Sequence, residues 1–334
     1  MVEYSEHSIL SGGSDITLSI WEHPSPDAAV IFIPATMMHP LCYEDFLKRL
    51  SGNGYTVVGL HTVGHGKSAR YSRKYTLRDL VQNARDAVTY AIEKFKIPVV
   101  VMGTSQGGIV AAGVAAEDER IAAVFSHNMI LSELPETVVV TRYPQWLKYI
   151  YRPWINLIKL SAGIFPDMEK PADFYLDLSR VNLNERFSEI LKNDPLCVKR
   201  YSLRFIASLI TTHFPGLTDG SVRCPMYIVA DSGDRLFPLS YMQKVFDSLC
   251  APHKEIVLFN TGGHMLMLTH PKEACDTLSV KIHSSLKWKE TAQRNYNSGQ
   301  YAMINAASVQ YPQVYRILSG LYQNPVSRQS VAAH

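Results

Sequence analysis

Short apolar runs alternate with helical patterns along most of the chain, and this alternation restricts the fold more than any other feature. Apolar residues recur at helical spacing from Leu77 to Phe95, after a Thr76-x-x-Asp79 sequence that resembles a capping box. Continuously apolar strands are typical of parallel sheets covered on both faces. The sequence therefore predicts an α/β fold with a mostly parallel, doubly wound sheet, in which sites form at the carboxyl ends of the strands. The predicted strands are Ala28 to Ile33, Tyr55 to Leu60, Pro98 to Met102, Ile121 to Ser126, Met226 to Ala230 and Glu255 to Phe259.

The alternation stops between Ser126 and Cys224, where large aromatic and apolar residues are frequent. We interpret this segment as a helical cap, so that residues 1–126 and 221–290 form the core and residues 127–220 the cap. Residues 291–334 form a C-terminal extension with five tyrosines. An apolar helix near Tyr315 would dock either on the body or on a second subunit, and the second alternative predicts a homodimer.

Composition and charge exclude several classes of protein. The 334-residue chain has a formal net charge of +3 and no Lys and Arg block interleaved with aromatic residues, so we expect no nucleic-acid partner. The N-terminus lacks the pattern of a signal peptide and no stretch reaches the length of a membrane span, which predicts a cytoplasmic protein. The cysteines lack Cys-x-x-Cys spacing, which is typical of reduced thiols, and we expect no metal and no cofactor. They are Cys42, Cys197, Cys224, Cys250 and Cys275.

The stretch from Gly103 to Gly107 has the pattern Gly-x-Ser-x-Gly, between a predicted strand and a helical pattern rich in small residues. A serine hydroxyl is a poor nucleophile unless it is held out of the backbone, close to a base and to donors for the developing oxyanion. The flanking glycines allow a tight turn with Ser105 at its apex. We therefore predict Ser105 as the nucleophile.

A serine nucleophile of this kind needs an acid and a base, which follow it along the chain in that order. The loop after the strand Met226 to Ala230 holds two acids, Asp231 and Asp234. Asp231 lies closest to the strand, where turn hydrogen bonds are typical, whereas Asp234 lies farther into the loop and can reach a histidine on the next one. We favour Asp234 as the orienting acid.

The predicted base is His264, which follows two glycines in the loop after the last strand. Its unperturbed pKa near 6.5 allows an imidazole to take the serine proton and return it at neutral pH. His270 is the nearest rival, and it precedes Pro271 in a helical pattern that favours a structural role.

The oxyanion hole requires two backbone donors. One is the N–H of Gln106, directly after the nucleophile. The second comes from the loop after Ile33, where Pro34 cannot donate, so the candidates are the N–H groups of Thr36 and Met37, with Thr36 favoured.

Aromatic residues of the predicted cap are the candidates for substrate binding. Trp146, Tyr151 and Trp154 lie in a segment with helical apolar spacing and interspersed basic residues. Packing of the cap core is one interpretation. The alternative is an apolar entry rim for a lipid-like substrate, with transient contact to a membrane surface.

With these residues in place, the chain resembles the α/β-hydrolase superfamily, and within it the monoacylglycerol lipase, lysophospholipase and serine-aminopeptidase-like (Hydrolase_4) group. The resemblance runs from about Ala28 to Trp288 and implies that His65 is structural. The family's His-Gly-x-Gly is replaced here by Pro34-Ala35-Thr36-Met37, which narrows the space beside the acyl group. The motifs that carry the resemblance are Gly64-His65-Gly66-Lys67-Ser68, the Gly103 to Gly108 stretch, Asn193-Asp194-Pro195-Leu196, Gly233-Asp234 with Pro238, and Gly263-His264.

The expected function is hydrolysis of a carboxylic ester with an apolar acyl or aryl group, through an acyl-enzyme on Ser105 with His264 and Asp234. A thioesterase, a lactonase or an acyltransferase would use the same three residues. A ligand-binding receptor without turnover is the alternative from a different class.

Overall fold

The structure is a computed structural model that describes residues 2–68, 74–181 and 185–297. Its strands are β1 (Glu3–Ser11), β2 (Ser14–Glu22), β3 (Ala28–Ile33), β4 (Tyr55–Leu60), β5 (Val99–Thr104), β6 (Ala123–His127), β7 (Glu169–Pro171), β8 (Arg200–Ser202), β9 (Met226–Asp231) and β10 (Lys254–Phe259). The α-helices are α1 (Glu44–Gly52), α2 (Leu77–Phe95), α3 (Gln106–Glu117), α4 (Tyr151–Ile164), α5 (Glu185–Asn193), α6 (Leu203–Thr211), α7 (Gly216–Asp219), α8 (Leu239–Ser248), α9 (Leu266–Thr269) and α10 (Pro271–Asn297).

Eight strands form one sheet in the order β1-β2-β4-β3-β5-β6-β9-β10. The six strands from β4 to β10 in this order are parallel to one another, and β1 and β2 are antiparallel. β3, β4, β5, β6 and β9 are buried along their whole length, as the continuous apolar runs predict. The predicted doubly wound α/β sheet is confirmed.

The β1–β2 hairpin is an element that the sequence analysis missed. Gly12 and Gly13 have φ of 56° and 78°, the left-handed region that a two-residue hairpin turn requires and that glycine enters without strain. β1 is polar and almost entirely exposed, so it lacks the apolar run that identified the other strands.

Helix α2 begins at the predicted capping box. The Thr76 backbone N–H donates to Asp79 Oδ2 at 2.7 Å, and an intrahelical bond cannot reach this N–H. Leu80, Ala84, Val88 and their helical neighbours face the sheet and are buried. The helix therefore serves as the crossover that delivers the chain to β5.

Between β6 and β9 lie α4 to α7 and the two-stranded ribbon β7–β8. Five short 3₁₀ helices complete the described structure: Pro40–Tyr43, Pro135–Val140, Gln145–Ile150, Ala172–Phe174 and Leu178–Arg180. The chain has two compact units, Met1–Ser285 and Leu286–His334, and the described part of the second is the C-terminal end of α10. The limits of the cap and of the extension stay predictions, and residues 298–334 lie outside the described residues.

In the ranges that the structure describes, no helix is both long enough and apolar enough to cross a membrane.

Candidate active site

Ser105 occupies the sharp turn between β5 and α3. Its φ of 54° and ψ of −116° lie in a region that non-glycine residues rarely adopt, and holding a residue there costs about 1–3 kcal/mol. The turn is held by its own backbone, since the Ser105 N–H donates to the His127 carbonyl at 2.7 Å. The strain and the fixed backbone place the hydroxyl at the carboxyl end of the sheet.

The two glycines of the motif are required by close backbone approaches. A Cβ at Gly103 would lie 1.9 Å from the Gly107 carbonyl oxygen, and a Cβ at Gly107 would lie 2.1 Å from the Ile33 carbonyl oxygen. Both atoms belong to backbone that cannot move without disturbing β3 or α3. Close contact with the backbone therefore requires glycine at both positions of the motif.

Asp234 lies in the loop after β9 and is fully engaged by hydrogen bonds. Its Oδ1 accepts the backbone N–H groups of Leu236 and Phe237 at 2.8 and 2.9 Å, and its Oδ2 contacts His264 Nδ1 at 2.8 Å. Burial alone would raise the pKa of this carboxyl, but the hydrogen bond and charge of His264 outweigh burial and lower the pKa below its usual value. Asp234 is thus a buried carboxylate aimed at the imidazole.

Asp231 has a different role. Its two oxygens accept four donors: the N–H groups of Gly233 and Gly262, and the N–H and hydroxyl of Thr261, at 2.6 to 3.0 Å. These bonds join the loop after β9 to the loop after β10, which carries His264. Asp231 therefore positions the loops and has no free oxygen for the imidazole.

His264 is buried, and its ring is oriented from two sides. Nδ1 is held by Asp234, and the ring stacks on Phe237 with centroids 5.5 Å apart and planes 8° apart. Gly262, two residues earlier, has φ of 85°, which favours glycine and allows the loop to turn toward Asp234. With Nδ1 facing a carboxylate, Nε2 is the nitrogen available for proton transfer.

Asn128, which the sequence analysis missed, lies at the centre of this network. Its side-chain amide donates to Asp234 Oδ2 at 2.8 Å and lies 3.2 Å from His264 Nδ1. It follows β6 directly and has φ of 62°, a conformation that Asn tolerates better than most residues. No motif surrounds it, and only the fold brings the end of β6 beside the ends of β9 and β10.

His127, beside Asn128, is a buried neutral histidine. Its Nδ1 lies 2.8 Å from the Thr104 hydroxyl, and its ring centroid is 6.0 Å from that of His264. Burial, with a smaller contribution from the charge of His264, lowers the pKa of His127 to about 4. This histidine therefore adds no positive charge next to His264 at neutral pH.

The predicted nucleophile, Ser105, and the predicted base, His264, are not joined by a hydrogen bond. Within the described part of the chain, no hydrogen bond connects the Ser105 hydroxyl to His264. Catalytic hydrogen bonds are often long without substrate and shorten in the complex, so this geometry is compatible with proton transfer between the two groups.

Of the predicted oxyanion donors, Thr36 and Gln106 line one cavity with Ser105. Their backbone N–H groups have no hydrogen-bond acceptor among the residues that the structure describes. The Met37 N–H, in contrast, donates to the Tyr201 hydroxyl at 2.7 Å. Because that donor is occupied, the geometry favours Thr36 and Gln106 and argues against Met37.

Two cavities with shared lining residues lie near Ser105. The first, of about 30 Å³, is lined by Ser105 itself, by the polar residues Thr36 and Gln106, and by apolar residues such as Ile109. The second, of about 370 Å³, is largely apolar and includes residues of α4 and α6. The two share the side chains of Thr141, Tyr175 and Ile210 as walls.

The three predicted substrate-binding aromatics have different environments. Trp154 lines the larger cavity, whereas Trp146 and Tyr151 line neither of the two. Trp146 lies on the 3₁₀ helix Gln145–Ile150 and is 58% exposed. Tyr151 is buried and donates its hydroxyl to the Ser132 carbonyl at 2.9 Å, so it packs as a structural residue. The geometry supports only Trp154 as a pocket residue.

Two other histidines that the sequence analysis considered, His65 and His270, lie away from Asp234. His65 is buried in an aromatic cluster with Tyr75, Tyr201 and Phe205. His270 is exposed at the end of α9. Neither contacts Asp234, which agrees with the structural roles expected for both.

The sheet order, the serine turn and the acid and base on the following loops define an α/β-hydrolase. The family model described as "Serine aminopeptidase, S33" (Hydrolase_4) matches residues 24–270, well over half of the chain. The chain belongs to this hydrolase family. A comparison with curated protein sequences finds no significant match.

Solved structures with low sequence identity share the fold. A monoglyceride lipase from Saccharomyces cerevisiae, a soluble variant bound to a substrate analogue, has a TM-score of 0.67 at 16% identity, over 86% of this chain and 94% of that chain. A monoacylglycerol lipase from Paleococcus ferrophilus gives 0.63 at 17%, over 85% and 99%. A thermostable carboxyl esterase from Bacillus coagulans, bound to glycerol, gives 0.64 at 14%, over 86% and 100%.

Proposed function

We propose that this hydrolase cleaves a carboxylic ester with an apolar acyl or aryl group, through an acyl-enzyme on Ser105. The observation that carries the proposal is the buried Asp234–His264 hydrogen bond of 2.8 Å, on loops at the same end of the sheet as the strained serine turn. Acid and base paired beside a serine held in this way are the arrangement that nucleophilic acyl transfer requires. The lipase and esterase neighbours support an ester as the substrate class.

In the first half-reaction, Ser105 Oγ attacks the carbonyl carbon while His264 Nε2 takes the hydroxyl proton. Asp234 holds the ring and stabilises the imidazolium. The N–H groups of Thr36 and Gln106 donate to the oxyanion that forms, and one such donor contributes about 10²- to 10³-fold in kcat. The bond from carbon to the alcohol oxygen then breaks, and the imidazolium returns the proton to the leaving alcohol.

In the second half-reaction, water replaces the alcohol. His264 takes a proton from the water, and the resulting hydroxide attacks the acyl carbonyl. The bond to Ser105 Oγ breaks, the serine regains its proton, and the carboxylic acid leaves. A thiol ester, a lactone or transfer to another alcohol would follow the same steps.

The cavity of about 370 Å³ is the proposed site for the apolar group. Its size lies within the range of roughly 300–1,000 Å³ typical of small-molecule sites, and apolar side chains such as Trp154 and Ile206 line it. It shares Thr141, Tyr175 and Ile210 with the small cavity at Ser105, and the proposal places the acyl chain of the acyl-enzyme in this larger cavity. Ala207→Phe would shorten this site and should shift the preferred ester to shorter acyl chains.

An exposed apolar surface supports contact with lipid. Large apolar side chains on α4 and the 3₁₀ helix before it are more than two fifths exposed, and basic residues lie among them. An amphipathic surface of this kind binds the interface of anionic membranes. Its apolar residues are Trp146, Tyr149, Ile150, Leu157, Leu160 and Ile164. We propose that it gives transient access to membrane-borne substrate.

Two further expectations from the sequence, the location and the homodimer, stay predictions. The cytoplasmic location stays an expectation from the sequence. The homodimer through the C-terminal extension involves residues that lie outside the described part of the chain.

The test is hydrolysis of p-nitrophenyl esters of increasing acyl length by the wild-type chain, Ser105→Ala and Ser284→Ala. Ser284 is an exposed serine on α10 and serves as the matched control. We expect nitrophenolate release by the wild type and the control, and a loss of at least about 10³-fold in Ser105→Ala. Equal rates in all three proteins would contradict the proposal.

A further inference from the structure

Four potential metal ligands from distant parts of the chain converge in one cluster. One ligand atom each from His39, Cys42, Asp194 and Cys197 lies within 4.8 Å of every other. His39 and Cys42 lie just before and within the 3₁₀ helix after the oxyanion loop, whereas Asp194 and Cys197 follow α5. The sequence analysis expected no metal, because no two cysteines show the Cys-x-x-Cys spacing of a local zinc motif, although His39 with Cys42 and Asp194 with Cys197 are each three positions apart.

The donor set fits zinc. Two sulfurs, one imidazole nitrogen and one carboxylate oxygen are ligands that Zn²⁺ accepts in tetrahedral structural sites. In such a site the ligand atoms are about 3.3–3.8 Å apart, from metal–ligand distances of about 2.0–2.3 Å. The observed upper limit of 4.8 Å requires only a small contraction. His39 Nε2 and Asp194 Oδ2, at 2.9 Å, are already closer than a metal between them would hold them.

The surroundings are those of a built site. Asp194 Oδ1 accepts the Leu196 N–H at 2.7 Å, which orients the carboxylate as outer hydrogen bonds do for metal ligands. His39 and Cys197 are buried, and His39 Nδ1 has no hydrogen-bond partner among the residues described. Cys42 and Asp194 also line an open surface cavity of about 500 Å³, which provides an entry path for the ion.

We propose that His39, Cys42, Asp194 and Cys197 bind one Zn²⁺ ion. Four protein ligands leave no open position, so the ion is structural and does not activate water. Binding converts the two thiols to thiolates and releases their protons to solvent. The ion joins the segment after the oxyanion loop to the segment after α5.

The position of the cluster gives the ion a second effect, and this effect rests on the proposed function. The Val198 N–H, next to Cys197, donates to the Met37 carbonyl at 2.9 Å, and the Tyr201 hydroxyl accepts the Met37 N–H. Both bonds hold Met37, the residue that follows Thr36. A metal that fixes His39 and Cys197 would stiffen this connection and keep the Thr36 N–H directed toward the cavity at Ser105.

The experiment uses the full chain expressed with added zinc, desalted, and assayed for metal by mass spectrometry. We expect about one zinc ion per chain. Cys42→Ser and Cys197→Ser should bind zinc at least about 100-fold more weakly in competition with a chromophoric chelator, whereas Cys250→Ser, at an exposed cysteine, should bind like the wild type. Co²⁺ added to the metal-free chain should give the thiolate charge-transfer and tetrahedral ligand-field bands, a readout that does not require a purified variant.

Absence of both zinc and the Co²⁺ bands from the folded wild-type chain would overturn the proposal. A second result would also overturn the proposal: a disulfide between Cys42 and Cys197 in the purified chain, together with no zinc binding by the folded chain after this disulfide is reduced. Ester hydrolysis is measured separately, and chelation should lower kcat more than it changes KM. Zinc binding without any hydrolysis would refute the proposed function and support the metal site. Hydrolysis without zinc binding would refute the metal site and support the proposed function.

Discussion

Asp234→Asn tests whether the acid acts by fixing the proton on His264. In the wild type, Oδ1 accepts two backbone N–H groups, so the amide oxygen of an asparagine must occupy that place. Its NH₂ group then takes the place of Oδ2 and faces His264 Nδ1, 2.8 Å away. A neutral imidazole can accept that donor only with its proton on Nε2. The nitrogen that should receive the serine proton is then already protonated.

The size of the loss follows from this tautomer. The wrong tautomer in a Ser-His-Asp arrangement lowers kcat by about 10⁴-fold, which corresponds to about 5 kcal/mol in the activation free energy. The side chain keeps its volume and both backbone hydrogen bonds, but the Asn128 amide loses Oδ2 as its acceptor. Loss of such a buried bond costs about 1–3 kcal/mol, so the free energy of unfolding should change less than the activation free energy does.

The assay is p-nitrophenyl ester hydrolysis, with thermal unfolding measured on the same samples. Asp219→Asn, at an exposed aspartate that caps a turn, is the matched control and should hydrolyse the ester like the wild type. Asp231→Asn should instead lower the melting temperature, because Asp231 holds two loops together through four donors. A loss in Asp234→Asn of less than tenfold would refute the role given to Asp234.

Three other predictions concern the turn, the buried histidine and the exposed surface. Gly107→Ala would place a Cβ 2.1 Å from the Ile33 carbonyl oxygen, so calorimetry should show a melting temperature lower by about 10 °C. Gly163→Ala, with open space around the added Cβ, is the control and should not lower the melting temperature. Equal melting temperatures of the two variants would contradict the steric argument. The pKa of His127 is lowered to about 4 in the folded state, so as the pH falls below about 6.5 this histidine takes up a proton in the unfolded state first. The free energy of unfolding should therefore decrease by about 3 kcal/mol between about pH 6.5 and pH 4. Denaturant titrations of His127→Asn should lack that part of the pH dependence, and an unchanged dependence would exclude His127 as its source. Trp146→Ser should weaken binding to phosphatidylserine vesicles by about tenfold without slowing hydrolysis of a soluble ester, and unchanged binding would remove this residue from the membrane contact.

The part of the fold that the sequence predicted is the part that strong local patterns encode. Continuous apolar runs identified β3 to β6 and β9, since a strand buried on both faces admits few polar residues. The edge strand β10 was identified by a shorter apolar run, although it is only partly buried. The predicted bounds of β3 and β4 agree with the structure, and those of the other strands differ by one or two residues, as with β6, which begins at Ala123 and not at Ile121. The β1–β2 hairpin was missed because β1 is exposed and polar, although Gly12-Gly13 was a turn signal between two runs.

In the candidate site, the sequence was sufficient to predict residues that belong to a short motif or that have a distinctive position in a loop. Gly103, Ser105 and Gly107 form a turn with its own steric logic, and the choice of Asp234 over Asp231 followed from distance along the loop. Residues whose environment depends on distant contacts were not accessible in this way. Asn128 reaches Asp234 across 106 positions, and Cys42 meets Cys197 only through the fold.

The central claim is that Ser105 is the activated nucleophile of the chain. The most direct measurement is the reaction of the folded protein with a fluorophosphonate, followed by mass spectrometry of the intact chain and of its peptides. We expect one adduct per chain, located on Ser105, absent from Ser105→Ala and formed much more slowly in Asp234→Asn. Adduct formation on another residue, or an equal rate in Asp234→Asn, would contradict this claim.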